Sequence, residues 1–144
     1  MVIGIIGESC VGKSTLASML KVELGAQVMT GKDYLRFAKN EAVARQLFEK
    51  KLHDALTGDH IVYVISEREH LDLLPMGSVR VLMTADLPLI LERFAVRMRG
   101  NLPEPIRKML EKKHGLFDRE ACDFHIHNNT GFESVVEKLR EAAL

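Results

Sequence analysis

Near its start the chain reads Gly7-Glu8-Ser9-Cys10-Val11-Gly12-Lys13-Ser14, a G-x-x-x-x-G-K-S octet. The apolar run Val2-Ile3-Gly4-Ile5-Ile6 precedes it, and Thr15-Leu16-Ala17-Ser18-Met19-Leu20 follows with apolar residues at helical spacing. Strand, phosphate loop and helix thus come in the order that a P-loop requires. No other stretch constrains the fold as strongly.

The residue types match the chemistry. Gly7 and Gly12 let the backbone turn its N–H groups inward and approach phosphate oxygens closely. A helix beginning near Lys13 adds the positive end of its dipole to that field. Lys13 is expected to reach the β- and γ-phosphates, and the Ser14 hydroxyl to ligate Mg²⁺. Residues Gly7, Glu8, Ser9, Cys10, Val11, Gly12, Lys13, Ser14 and Thr15 are therefore the candidate cradle for ATP·Mg²⁺. Cys10 lies close to a helix N-terminus, where a thiol can acidify, although a small residue that fits the loop is the ordinary explanation.

A chain of 144 residues with 47% hydrophobic content supports one domain with a real core, residues 1–144. Lys plus Arg and Asp plus Glu are balanced at 20 each, so no general basic field points to nucleic acid or an anionic membrane, and anion binding must be local. The apolar runs are too short for a membrane span and no signal-type leader is evident, which predicts a cytoplasmic protein. Cys10 and Cys122 are far apart in sequence and are expected to be free thiols. The expected partner is a small molecule, with the chain a monomer or small homo-oligomer.

Downstream, a second strand is predicted over residues 26–30, ending in the polar turn Thr30-Gly31-Lys32-Asp33-Tyr34-Leu35-Arg36. Ligands of open α/β sheets collect at the carboxyl ends of strands, so Asp33 and Arg36 are candidate contacts for a second substrate. A capping Asp and a solvated Arg are the ordinary alternative. A helix follows over residues 41–57, with Ala44, Leu47, Phe48, Leu52, Ala55 and Leu56 on its apolar side. The β-branched run Ile61-Val62-Tyr63-Val64-Ile65 reads as a strand buried on both faces. At its end Glu67 is a candidate for holding a magnesium-bound water and Arg68 for gripping phosphate, against the alternative of a merely charged loop.

A fourth strand is predicted over residues 79–84, then a helix capped by Asp86 with the stripe Leu87, Ile90, Leu91, Phe94, Ala95 and Met98. Arg93 and Arg97, four residues apart, can reach the same side and neutralise a transferring γ-phosphoryl, although surface helices also carry arginine for solubility. Residues 97–115 are the natural place for a mobile lid. A fifth strand is expected over residues 123–129, and Thr130 with Glu133 fits a capping box for a last helix carrying Phe132, Val135, Val136 and Leu139. Cys122, His125 and His127 alternate along that strand and read as a sheet face rather than a zinc site. Strand and helix alternate five times, which predicts a three-layer α/β/α fold with a five-stranded parallel sheet.

Taken together, the chain resembles P-loop kinases of the nucleoside monophosphate kinase type, with cytidylate and adenylate kinases nearest in pattern and shikimate kinases also similar. Thr30-Gly31-Lys32-Asp33-Tyr34-Leu35-Arg36 resembles the family's Thr-Gly-Asp-x-x-Arg segment with one residue inserted, which implies that Arg36 holds an acceptor phosphate. Arg93 and Arg97 resemble the arginines that open the family's lid. Lys113-His114-Gly115-Leu116-Phe117-Asp118 and residues 123–130 are similar to the closing region of cytidylate kinases. The resemblance implies strand order 2-3-1-4-5 and a short acceptor-binding helical region over about 31–58. After the third strand, Ser66-Glu67-Arg68 stands where the family has Asp-Gly-Phe-Pro-Arg.

The functional expectation is a kinase that passes the γ-phosphoryl of ATP·Mg²⁺ to a nucleoside monophosphate, cytidylate-like by resemblance, or to a similar small acceptor. Lys13, Arg93 and Arg97 would be catalytic, joined by Asp33 as base if the acceptor is an alcohol; Asp33, Arg36 and Arg68 would contact the acceptor, and Ser14 and Glu67 the metal. A shikimate kinase-like enzyme, a plain ATPase and a non-catalytic nucleotide-binding regulatory module are the alternatives.

Overall fold

A computed structural model describes residues 1–144. Its centre is β1 (Val2–Gly7), every residue of which is buried. Only aliphatic residues and glycine occur there, so both faces must be covered, and β3 (Ile61–Ile65) obeys the same rule. With β2 (Gln27–Thr30), β4 (Val79–Thr84) and β5 (Phe124–His127) they form one five-stranded sheet in the order β2-β3-β1-β4-β5. All four pairings are parallel. The expected three-layer fold and strand order are both observed.

The helices are α1 (Lys13–Leu24), α2 (Glu41–Ala55), α3 (Leu87–Arg97), α4 (Glu104–Lys113) and α5 (Phe132–Ala143). Strand alternation sorts the core into two layers. Ile3, Ile5, Val62, Val81 and Met83 pack with Leu16 and Leu20 of α1, Ile90 of α3, Leu110 of α4 and Leu139 of α5. Val2, Ile6, Ile61, Tyr63 and Ile65 pack on the opposite face with Phe48 and Leu52 of α2, Leu71, Leu73 and Phe117. No helix is long and apolar enough to cross a membrane.

The connection after β1 runs past β3 to β2, and the one after its neighbour β3 runs back past β1 to β4, so these adjacent strands send their connections in opposite directions. A crevice opens at the carboxyl ends of the strands where they part. The phosphate loop lies at its head.

Local details differ from the sequence-based expectations. Leu47 is 45% exposed, because the buried stripe of α2 runs through Ala44, Phe48, Leu52 and Ala55 and leaves residue 47 off that face. Asp86 precedes α3 but makes no capping bond; its carboxylate instead accepts from Asn128 Nδ2 at 2.8 Å and meets His127 Nε2 at 3.2 Å. The Thr130–Glu133 box does not form. Gly131, at φ 91°, is the N-cap of α5, and the Thr130 hydroxyl donates to the His127 carbonyl at 2.7 Å. Two short 3₁₀ segments, Gly31–Phe37 and Arg68–Leu73, follow β2 and β3.

Candidate active site

The phosphate loop takes its shape from what surrounds its glycines. A Cβ on Gly7 would lie 2.5 Å from the Met83 carbonyl of the neighbouring strand. Gly12 has φ 99° and faces the Asn129 side chain and the Phe132 ring. Neither position tolerates a larger residue without moving the loop. Past Gly12, α1 begins with Lys13 and aims its N-terminal end into the crevice.

The crevice is a cavity of about 510 Å³. Loop residues Ser9, Cys10, Gly12, Lys13, Ser14 and Thr15 form its floor, with Thr30 at the end of β2 and Val64 and Ser66 at the end of β3. Arg93 and Arg97 of α3 and Asn129 after β5 form the opposite wall. Lys13, Arg93 and Arg97 are the charged residues of this lining, and none of the twelve lining residues is acidic. Such a surface is built for a polyanion.

Each cation is held differently. Lys13 is 7% exposed, and its ammonium donates to the backbone carbonyl of Glu8. Burial pulls its pKa down to about 8; Arg97 adds to the fall, while Cys10 and Glu8 oppose it. Arg93 donates through Nη1 to the Cys10 carbonyl at 3.0 Å. Arg97 lies over the Phe94 ring, 5.6 Å from its centroid, which keeps its guanidinium on the cavity side of the helix. The spacing of four residues brings both arginines to one wall, as their sequence positions suggest.

Asn129 was not expected from sequence. With its amide oriented to satisfy its neighbours, it donates to the Val11 carbonyl at 3.0 Å and accepts from Arg93 Nη2 at 3.0 Å, joining the last loop to the phosphate loop. Asn128 and Asn129 adopt φ of 50° and 60°. The signal in the sequence is the Asn pair itself, since asparagine tolerates this left-handed region better than most residues. Thr30 and Ser66, at the ends of β2 and β3, reach the cavity without a local sequence signal of their own.

The proposed acceptor and metal residues are more dispersed. The Asp33 carboxylate accepts from the Thr30 N–H at 2.9 Å and from its hydroxyl at 3.2 Å, so it caps the 3₁₀ turn directly behind a lining residue. Arg36 is exposed and three residues along the same 3₁₀ turn, hence on the same side as Asp33, outside the lining. Arg68 turns away from the cavity, bonding the Leu116 carbonyl at 3.0 Å and the Glu120 carboxylate at 2.9 Å. Glu67 is exposed and follows the lining residue Ser66 without itself lining the cavity. Ser14 lines the cavity beside Lys13.

No protein-family model and no curated protein matches the sequence. In three dimensions the chain is similar to shikimate kinase from Acinetobacter baumannii in complex with shikimate, at 16% identity and a TM-score of 0.62 over 98% of this chain and 91% of that one. It is similar to the Bacillus subtilis YorR protein in complex with phosphorylated GDP, at 17% identity and a TM-score of 0.62 over 99% and 95% of the two chains. A gluconokinase from Sinorhizobium meliloti 1021 superposes at 13% identity and a TM-score of 0.60 over 99% and 90%. The fold is that of the P-loop kinases.

Proposed function

We propose that the protein is an ATP-dependent small-molecule kinase that passes the γ-phosphoryl of ATP·Mg²⁺ to a small acceptor. The observation that carries this reading is the wall opposite the phosphate loop. A nucleotide-binding module needs the loop, whereas two arginines converging from α3 on the same cavity serve the charge of a phosphoryl in transit.

In this reading Lys13 leaves the Glu8 carbonyl to meet the β- and γ-phosphates, and the loop N–H groups hold the remaining oxygens. An acceptor oxygen entering beside Thr30 and Ser66 attacks the γ-phosphorus as its bond to the β–γ bridging oxygen breaks, and ADP departs. Arg93 and Arg97 neutralise the equatorial oxygens. Positioning and charge neutralisation do the work, without a covalent intermediate. Bound magnesium would supply charge neutralisation at the phosphates. Ser14 would hold it as a hydroxyl ligand, and Glu67, next to the lining residue Ser66 at the end of β3, would hold it through a bound water.

Two acceptor classes remain in view. The family resemblance favours a nucleoside monophosphate, cytidylate-like, gripped by Arg36. The lining favours an alcohol: on the acceptor side it offers the Thr30 and Ser66 hydroxyls and Val64, while Arg68 is engaged elsewhere. Asp33, behind Thr30, would then take the alcohol proton.

ADP production from ATP·Mg²⁺ with CMP, dCMP, UMP, AMP, GMP, shikimate, gluconate and common nucleosides tests both. Stimulation by one acceptor establishes the kinase and its class; tight nucleotide binding without stimulation across these and a wider polyol set would count against it. Asp33→Asn retains the turn-capping acceptor, so it should lower kcat for an alcohol and leave kcat for a phosphate monoester nearly unchanged.

A further inference from the structure

Glu8 is an unusual guest in a phosphate loop. A carboxylate beside a polyphosphate site repels it, yet this one is only 9% exposed and is turned away from the cavity. Oε2 accepts the Gly115 N–H at 3.1 Å, and Oε1 lies 3.1 Å from His114 Nδ1. A carboxylate only accepts, so Nδ1 carries the proton of that bond. These donors stand at the end of α4, 106 and 107 residues along the chain.

Gly115 can offer its N–H there because it adopts φ 81°, a conformation that side chains disfavour. Beyond it, Phe117 is 1% exposed in the core, and Leu110 before it is 5% exposed. The return end of the α3–α4 hairpin is thus seated on both sides of residue 115. The hairpin's outgoing helix holds the same loop two residues further on, through Arg93 and the Cys10 carbonyl. It therefore straddles the phosphate loop, with His114 and Gly115 on Glu8 as one foot and Arg93 on Cys10 as the other. The Glu8 carbonyl, meanwhile, receives the Lys13 ammonium.

We propose that Glu8 is a positioning residue: its side chain ties the phosphate loop to His114 and Gly115, so that the loop and the α3–α4 hairpin set each other's geometry and nucleotide binding is felt at the end of α4. The proposal rests on nucleotide binding at the loop. It confines lid motion to the segment around Arg99 and Gly100, both at positive φ, rather than the whole of residues 97–115. In the absence of the tie the loop loses its anchor at residue 8, and phosphate must order it on binding.

Amide hydrogen exchange over residues 104–116 and the Kd of a non-hydrolysable ATP analogue with Mg²⁺ test it, in wild type, Glu8→Ala, Glu8→Gln, His114→Ala and the double variant Glu8→Ala/His114→Ala. Wild type should exchange more slowly near residues 110–116 when the analogue is bound. Glu8→Ala should speed that exchange in free protein and weaken the analogue by about 10-fold, the scale of a lost hydrogen bond to a charged group. Glu8→Gln, which can still accept from Gly115, should recover most of both changes. His114→Ala, outside the loop, should reproduce part of them, and the double variant should be no worse than Glu8→Ala. Faster exchange with unchanged affinity in Glu8→Ala would reduce the tie to a structural contact and overturn the proposal, as would a Gln variant no better than Ala. Failure of wild type itself to bind the analogue would instead remove the nucleotide reading, and this inference with it.

Discussion

The Arg93 guanidinium donates to the Cys10 carbonyl at 3.0 Å across 83 residues of sequence. The second foot of the hairpin is therefore placed before any phosphate arrives, and the carbonyl occupies a donor that a phosphoryl oxygen could use. Asn129 supports the same guanidinium from the other side. This support uses two nitrogens of a planar fork at a fixed separation, which the single nitrogen of an ammonium does not offer.

Arg93→Lys should consequently keep the charge and lose the geometry. We expect kcat to fall by about 10²-fold with the acceptor found in the panel, and the melting temperature to change little, since Arg93 is only partly buried. Steady-state kinetics beside a thermal melt checks this; an unaltered kcat would return Arg93 to a packing role.

Lys13→Ala should lower turnover by at least ~10²-fold, or ~2.7 kcal/mol of transition-state stabilisation. Near-normal ADP production by the variant would remove the kinase assignment.

Lys13 also gives the site a pH signature. Burial holds its pKa at about 8, against an ordinary 10.5, so the charged form is disfavoured in the folded protein. ATP-analogue affinity should weaken as pH rises through about 8, because the ammonium proposed to meet the phosphates loses its charge. Stability moves the other way: between about 8 and 10.5 the unfolded chain binds the extra proton, so this residue's share of stability rises with pH over that window. Calorimetry from pH 7 to 9.5 on wild type and Lys13→Met should show the affinity trend in wild type and its loss in the variant.

Tyr63 donates its hydroxyl to the Gly31 carbonyl at 2.7 Å, fixing the turn that carries Asp33 and Arg36. Its ring also meets Phe48 edge-on at 4.8 Å. Tyr63→Phe keeps the ring and strands the carbonyl, which should cost about 1–2 kcal/mol by denaturant unfolding. If the turn positions an acceptor, KM for acceptor should rise while ATP affinity holds.

Much of the fold could be read along the chain. The octet, the all-apolar Ile61–Ile65 run and the helical stripes are local patterns, and strand-helix alternation limits how they assemble. The convergence of Arg93 and Arg97 was legible for the same reason, since residues four apart share a helix face. Asp33 shows the limit of local pattern: its capping alternative and its acceptor role use the same position, and the structure displays the capping bond to Thr30.

What the sequence determined by itself is a phosphate loop on a parallel α/β sheet, because those signals depend on neighbours within a few residues. Only tertiary structure decided that Asn129 and Ser66 line the cavity, that Arg68 turns toward Glu120, and that the carboxylate of Glu8 is held by His114 and Gly115. These pairings join segments tens of residues apart, and their geometry is set by how helices pack on the sheet, which local periodicity does not encode.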